Sequence, residues 1–264
     1  MTNPCSALTS LLQPLKKPEF WLFMGRNDIH YKYKRTLLGP FWVTLTNGAY
    51  IAMLALVFGA LFKVSDPIYV SWVAIGVIFW NFIGATIRES SAVFYEKKGF
   101  LLQTGEFNAA QLLYWVLWRN IITLAHQLPI ILITLIGFHN LPYSMSALMV
   151  VPGFVLICAT MLPYAMILAL LTARLRDLEP LINTALMALF FVTPIMWQVE
   201  QLGERAWLAQ LNPATHLIAL VRDPLLGLPI DVSTYQISLL LAALGWTLAA
   251  IFYGKFGRRL VFWV

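Results

Sequence analysis

Charge is what this sequence has least of. Only 11% of its 264 residues are Asp, Glu, Lys or Arg, while 60% are hydrophobic. A water-soluble domain of this size cannot hide that much apolar surface in one core, so the solvent is lipid. The apolar runs are long and continuous, which argues against the short alternating strands of a membrane barrel and for spanning helices. Cysteine is almost missing too. Cys5 and Cys158 are far apart and one lies in an apolar run, so neither a disulfide framework nor a CxxC metal or redox site is available.

Nucleotide and catalytic motifs are also absent. No GxxxxGK[ST] occurs, and Gly254-Lys255-Phe256 lacks both the preceding glycine and the hydroxyl residue, so the chain has no Walker A loop for ATP. There is no HExxH and no GxSxG, and His30, His126, His139 and His216 do not cluster in sequence. No metal site, catalytic centre or cofactor is expected in this chain. Every Asp and Glu falls in an expected loop or helix end, which counts against a proton-coupled carrier with carboxylates inside its spans.

What is present is six apolar stretches of near-spanning length, about Phe41–Phe62, Tyr69–Ile87, Leu112–Gly137, Ala147–Leu171, Leu181–Trp197 and Tyr235–Tyr253. They predict an all-α polytopic membrane protein, with residues 1–264 as a single transmembrane domain. Lys16, Lys17, Arg26, Lys32, Lys34 and Arg35 precede the first span. Arg88, Lys97, Lys98 and Arg119 surround the second connection, Arg174 and Arg176 occupy the fourth, and Lys255, Arg258 and Arg259 end the chain. The other side holds only Lys63, Arg205 and Arg222. That imbalance predicts both termini in the cytoplasm. The net charge of +6 is therefore topological and calls for no nucleic-acid partner. The first 18 residues lack the basic-then-apolar order of a cleavable signal and read as retained.

Residues 18–38 mix Phe20, Trp21, Phe23, Met24 and Tyr31 with Arg26, Asp28 and Lys32, as an amphipathic interfacial helix does. Pro40 disfavours helix at Gly39, so a bend is expected before the first span. The connection Arg88–Gln111, with Gly99 and Gly105, reads as short helices and turns in the cytoplasm. Between Gln198 and Thr234 lie two apolar pieces too short to cross, Ala206–Leu211 and Ala214–Val221, joined by Asn212-Pro213. An N-cap followed by a first-turn proline suits a pair of short helices re-entering the outer leaflet over about 205–227. Arg119 reads as snorkelling to the cytoplasmic interface, and His126, seven residues on, as a buried hydrogen-bonded side chain. The aromatics of the spans, among them Trp42, Tyr50, Phe58, Trp80, Phe190 and Trp197, suit interface belts and lipid-facing packing. Some, with Asn47, Asn183 and Thr193 near them, also suit a sugar-lined passage. Pro163 and Pro194 mark kink positions.

The order of parts is itself informative. YKYKRTLLGPFW (Tyr31–Trp42), EKKG (Glu96–Gly99), RLRDLE (Arg174–Glu179), TPIMW (Thr193–Trp197) and LNPATHLIALVRDPLLG (Leu211–Gly227) fall at defined topological places. The whole resembles the membrane subunits of type 2 ABC exporters for cell-envelope polysaccharide. These are the Wzm-like group that exports lipid-linked O antigen, with capsule and teichoic acid permeases as relatives. The resemblance implies a permease of the bacterial inner membrane, itself not an enzyme, acting as a homodimer with two copies of a separate ATPase subunit that holds the ATP and Mg. It places Arg26, Arg88, Glu89, Glu96, Lys97, Lys98, Arg174, Arg176, Asp177 and Glu179 at the motor contact, and Leu38, Gly39 and Pro40 at the cytoplasmic entrance. Asn47, Tyr50, Asn183, Phe190, Thr193 and Trp197 would line the channel between the two copies, with Asn212, Pro213, His216 and Arg222 at the outer gate. Six helices each ~10 Å across leave no lumen for a sugar chain, which independently favours a passage between copies. Export of capsule, teichoic acid, lipid or drug fits the same architecture. A membrane-embedded enzyme or scaffold is the reading from a different class.

Overall fold

The computed structural model describes residues 4–64, 66–103, 107–138, 145–229 and 231–264. Among them every regular element is helical. The α-helices run α1 Pro4–Leu12, α2 Glu19–Tyr33, α3 Phe41–Leu61, α4 Ile68–Glu96, α5 Lys98–Gln103 and α6 Ala110–Ala125. They continue with α7 Leu128–Phe138, α8 Val150–Arg174, α9 Leu178–Val192, α10 Trp207–Leu211, α11 Pro213–Leu225 and α12 Val232–Phe256. Five segments are long and apolar enough to cross a bilayer: Phe41–Leu61, Ile68–Glu96, Ala110–Gly137, Ser146–Arg174 and Val232–Phe262.

Helix α4 is the axis of the bundle. In its apolar window 83% of the residues are buried, against 17% for α3. It packs on α3, α6, α7, α8, α9 and α11, and its Val73, Ala74, Ile75, Val77 and Ile78 are wholly inaccessible. A second apolar cluster closes the end richest in basic residues, where Leu11, Phe94, Leu112, Trp115, Met166, Ala249 and Leu260 meet. Gly245 lets α12 come against Pro163 and Tyr164 of α8, where a Cβ would lie 3.0 Å from both side chains. Helix α8 continues through Pro163.

The structure departs from the sequence expectations at four places, each with a physical cause. The third stretch is broken at His126–Gln127, because the Pro129 ring cannot coexist with a helical Ala125 carbonyl one turn earlier. The fifth ends at Val192, five residues early. Thr193 adopts φ −81°, ψ 135° because Pro194 disfavours helix in the residue before it. The second stretch runs on as one unbroken helix to Glu96 where short helices and turns were expected from Arg88. Nothing in Arg88–Glu96 breaks a helix, and Ala92, Val93 and Phe94 are buried. Helix α1 was not expected at all, and it anchors through Ala7 and Leu11, four residues apart and each 3% exposed. Of the earlier signals, Gly105 and His139 lie outside the described residues.

Other expectations are met. Gly39 has φ +56°, the left-handed bend between α2 and α3. Asn212 caps α11, its side chain accepting from the Ala214 amide at 3.0 Å, with Pro213 as the first helical residue.

Close approach of α8 and α11 generates a prediction. A Cβ at Gly153 would lie 2.4 Å from the Leu220 carbonyl oxygen, whereas nothing surrounds one at Gly137. Gly153→Ala is expected to lose about 1–3 kcal/mol by forcing the helices apart. Gly137→Ala is expected to be neutral or slightly stabilising, since alanine is the better helix former. Thermal unfolding of both purified variants in the same detergent checks the contrast.

Candidate functional site

Arg119 is where the charged residues of the bundle converge. Its Nη1 donates to Asp28 Oδ2 at 2.8 Å and its Nη2 to Glu89 Oε2 at 2.7 Å. Asp28 also accepts from Trp115 Nε1 at 2.9 Å, and Glu89 from Asn120 Nδ2 at 2.9 Å. One cation thus ties α2 and α4 to α6. Gly25 brings α2 against α6, where a Cβ would meet Trp118 at 2.7 Å. The expected snorkelling of Arg119 is replaced by a two-carboxylate clasp. Glu89, expected at the motor contact, points into this clasp, and Arg88 beside it is exposed. Deeper along the same groove Asn47 Nδ2 donates to Gln127 Oε1 at 2.7 Å.

At the basic end, the second and fourth connections come together. Tyr95 donates its hydroxyl hydrogen bond to Glu179, and the Arg176 guanidinium lies over the Tyr95 ring at 5.7 Å. Lys97 stands 4.6 Å over Trp115, and Arg174 5.7 Å over Trp263 near the C-terminus. Arg26, Glu96, Lys98, Arg174, Arg176 and Asp177 are exposed, while Lys97 and Glu179 are half-buried. The cluster is therefore a charged surface resting on an ordered base. Leu38, 46% exposed, Gly39 and Pro40 lie between α2 and α3.

Of the residues expected along a passage, Tyr50 is exposed on α3 and Asn47 is half-buried. On α9, Asn183 is half-buried with its Oδ1 lacking a hydrogen-bond partner among the described residues, and Phe190 packs at a tilt against Trp80, ring centroids 5.9 Å apart. Trp197 donates to the Phe191 carbonyl at 3.1 Å. Thr193 is fully buried and accepts from Asn212 Nδ2 at 2.8 Å, so it holds the turn after α9 to the start of α11. His216 is buried against the Gln210 carbonyl at 2.8 Å.

Arg222, expected at an outer gate, is 3% exposed. Its guanidinium lies over the Trp72 ring at 3.4 Å, and its Nη1 donates to the Pro194 carbonyl at 2.6 Å. Its Nε is 3.5 Å from Asp223 Oδ1 without hydrogen-bond geometry. A stacked, hydrogen-bonded guanidinium is the form in which a buried cation is tolerated. It fastens α11 to α4 and to the turn after α9. Nearby, Asp231 caps α12, and the Ser233 hydroxyl and amide hold its carboxyl below the usual range. Among the described residues no group of three His, Cys, Asp or Glu side chains gathers as metal ligands.

Residues 18–226 match the family described as ABC-2 type transporter. The chain belongs to the ABC-2 transporter family. It is 22% identical over 197 residues to the O-antigen export system permease protein of Myxococcus xanthus, covering 73% of this chain and 75% of that one. A Klebsiella pneumoniae protein of the same description is 24% identical over 200 residues, 74% of this chain and 76% of its own. The chain is thus a multi-pass permease, the transport subunit of an ABC-2 transporter. The matched residues begin at the helix that Asp28 clasps and end with the helix that Arg222 fastens.

The Asp28–Arg119–Glu89 clasp could not be read from sequence, since its partners lie 91 and 30 residues from Arg119. Arg119→Met in this ABC-2 permease is expected to lose roughly 2 kcal/mol. That is less than for a fully enclosed pair, because solvent screens the partly exposed carboxylates. Limited proteolysis is expected to cleave sooner around α2, and Arg119→Lys to be intermediate, keeping one of the two contacts.

Proposed function

We propose that two copies of this chain form the membrane half of an ATP-driven exporter that moves lipid-linked polysaccharide of the O-antigen type across the bacterial inner membrane. The agreement that carries this reading is the export role named for the relatives, matched over about three quarters of both chains. The lack of a Walker A loop supports a separate ATPase subunit as the holder of ATP and Mg, and two copies of this chain would work with two of it. The exposed charges Glu96, Lys98, Arg174, Arg176 and Asp177 are the surface offered to it.

Six crossings with both ends in the cytoplasm complete the topology. Helix α9, at 15 residues, spans about 22 Å and falls short of the ~30 Å hydrocarbon layer. The irregular turn Thr193–Met196 that follows is wholly buried in protein, the condition under which non-helical backbone is tolerated at membrane depth. The α10–α11 pair re-enters the outer leaflet to cover it. Helices α3 and α9 flank α4 and expose most of their apolar residues, so a second copy is the natural cover and the passage lies between the copies. Closure of the motor would move α2 and the Arg174–Glu179 loop as rigid bodies and open that passage.

Deletion of the gene is expected to strand lipid-linked glycan inside the cell, and complementation with the intact chain to restore it to the surface. Normal surface glycan in the deletion strain would overturn the export reading. Charge reversal at Glu96, Arg174 or Asp177 is expected to reduce glycan export at unchanged membrane insertion. Full export by all three variants would remove this surface from the motor contact.

A further inference from the structure

Between α2, α3, α4 and α6 lies a polar cleft of about 300 Å³. Its lining is about half polar, unlike the apolar grooves elsewhere on the bundle. Arg88 lies 20 residues after Ile68, about 30 Å along α4, one hydrocarbon thickness from the opposite end of the helix. The cleft therefore opens at headgroup depth, flanked by the apolar side chains Ile29, Val43 and Phe82.

Its charges do not balance. Lys32, Arg88 and Arg119 line it against the single carboxylate Glu89, with Asp28 behind Arg119 as the only other one in contact. Glu89 already accepts from both Arg119 and Asn120, and Asp28 from Arg119 and Trp115, so the clasp is internally satisfied. Lys32 and Arg88 are left over, with no ion-pair partner among the described residues. Asn81, half-buried in the same lining, makes no side-chain hydrogen bond among the described residues. Two uncompensated cations and an unused amide facing one lipid-level cleft match a phosphate oxyanion, for which a guanidinium offers paired donors.

We propose that this cleft binds the phosphate of a lipid headgroup, with Arg88 and Lys32 as the contacting cations and Asn81 as an additional donor. The lipid is either a resident anionic phospholipid or the carrier of the exported glycan. Only the second identity rests on the export reading.

The test is equilibrium binding of radiolabelled farnesyl diphosphate to the full chain in phosphatidylcholine nanodiscs, with inorganic pyrophosphate and phosphatidylglycerol as competitors. Arg88→Gln with Lys32→Gln is expected to weaken binding at least about tenfold, the effect of losing charged hydrogen bonds. Arg88→Lys is expected to weaken it less, and Arg258→Gln, an exposed cation at the chain's end, to leave it unchanged. Competition by phosphatidylglycerol at similar concentrations supports a resident phospholipid. Competition by pyrophosphate alone supports a diphosphate carrier. Absence of binding, equal binding by the double variant, or an equal loss in Arg258→Gln overturns the site. If the site holds while the deletion strain displays normal surface glycan, the cleft stands and the export reading falls.

Discussion

Inside hydrocarbon a backbone amide or carbonyl has no water to turn to, so a chain that crosses a bilayer must satisfy each of them from within. Helices do this over most of the molecule. The places where the helix ladder fails show how the rest is arranged around that requirement. Pro129 breaks the third stretch, and the Thr44 hydroxyl donates to the His126 carbonyl there. Pro194 ends α9, and the Arg222 guanidinium donates to the Pro194 carbonyl. In both cases the interruption comes from local proline chemistry and the repair from a side chain far along the chain. Broken helices of this kind are stable only because neighbouring helices carry the missing donors.

The same logic governs charge. A lone arginine at membrane depth is costly, and the two in this bundle are handled in different ways. Arg119, near the basic end, is neutralised by two carboxylates from two other helices. Arg222, enclosed at the opposite end, stacks on Trp72 and caps a carbonyl. The first arrangement fixes α2 to the bundle. The second fixes α11 to the turn that completes α9. Each end of the molecule is therefore tied together by one arginine, half-buried at the basic end and buried at the other, and the apolar core of α4 lies between them.

The periodicity and length of the apolar runs made the spans legible, because lipid burial imposes a strong, continuous signal on the sequence. Local chemistry did the same for the Gly39 bend and the Asn212-Pro213 cap, where residue type alone dictates backbone shape. Three things were not legible. The extension of α4 past Arg88 looks polar in sequence, and it is helix because Val93 and Phe94 bury against α6 and α8, a tertiary effect. The break before Pro129 was within reach of the proline rule, yet the surrounding hydropathy masked it. The partners of Arg119, Thr193 and Arg222 are set by helix packing, and nothing adjacent in the chain announces them. Thr193 illustrates the point: its place among aromatics suggested a passage wall, and the fold uses it to hold Asn212.

The uneven burial of α3, α4 and α9 bears on how a passage is built. Helix α4 is enclosed by other helices over its apolar window, and its polar side chains Asn81, Arg88 and Glu89 face the cleft toward its basic end. Helices α3 and α9 each lean on α4 along one side and expose Leu45, Met53 and Leu56, or Leu181, Met187 and Phe191, on the other. Those faces also carry the exposed Tyr50, while the unpartnered Asn183 Oδ1 is buried behind them. A face that is purely apolar needs only lipid. A face on which a tyrosine interrupts the apolar surface is better matched by another protein surface or by hydroxyl-rich cargo. The proposed second copy would cover the outer faces of α3 and α9, while Thr44 and Asn47 of α3 are already hydrogen-bonded within the bundle.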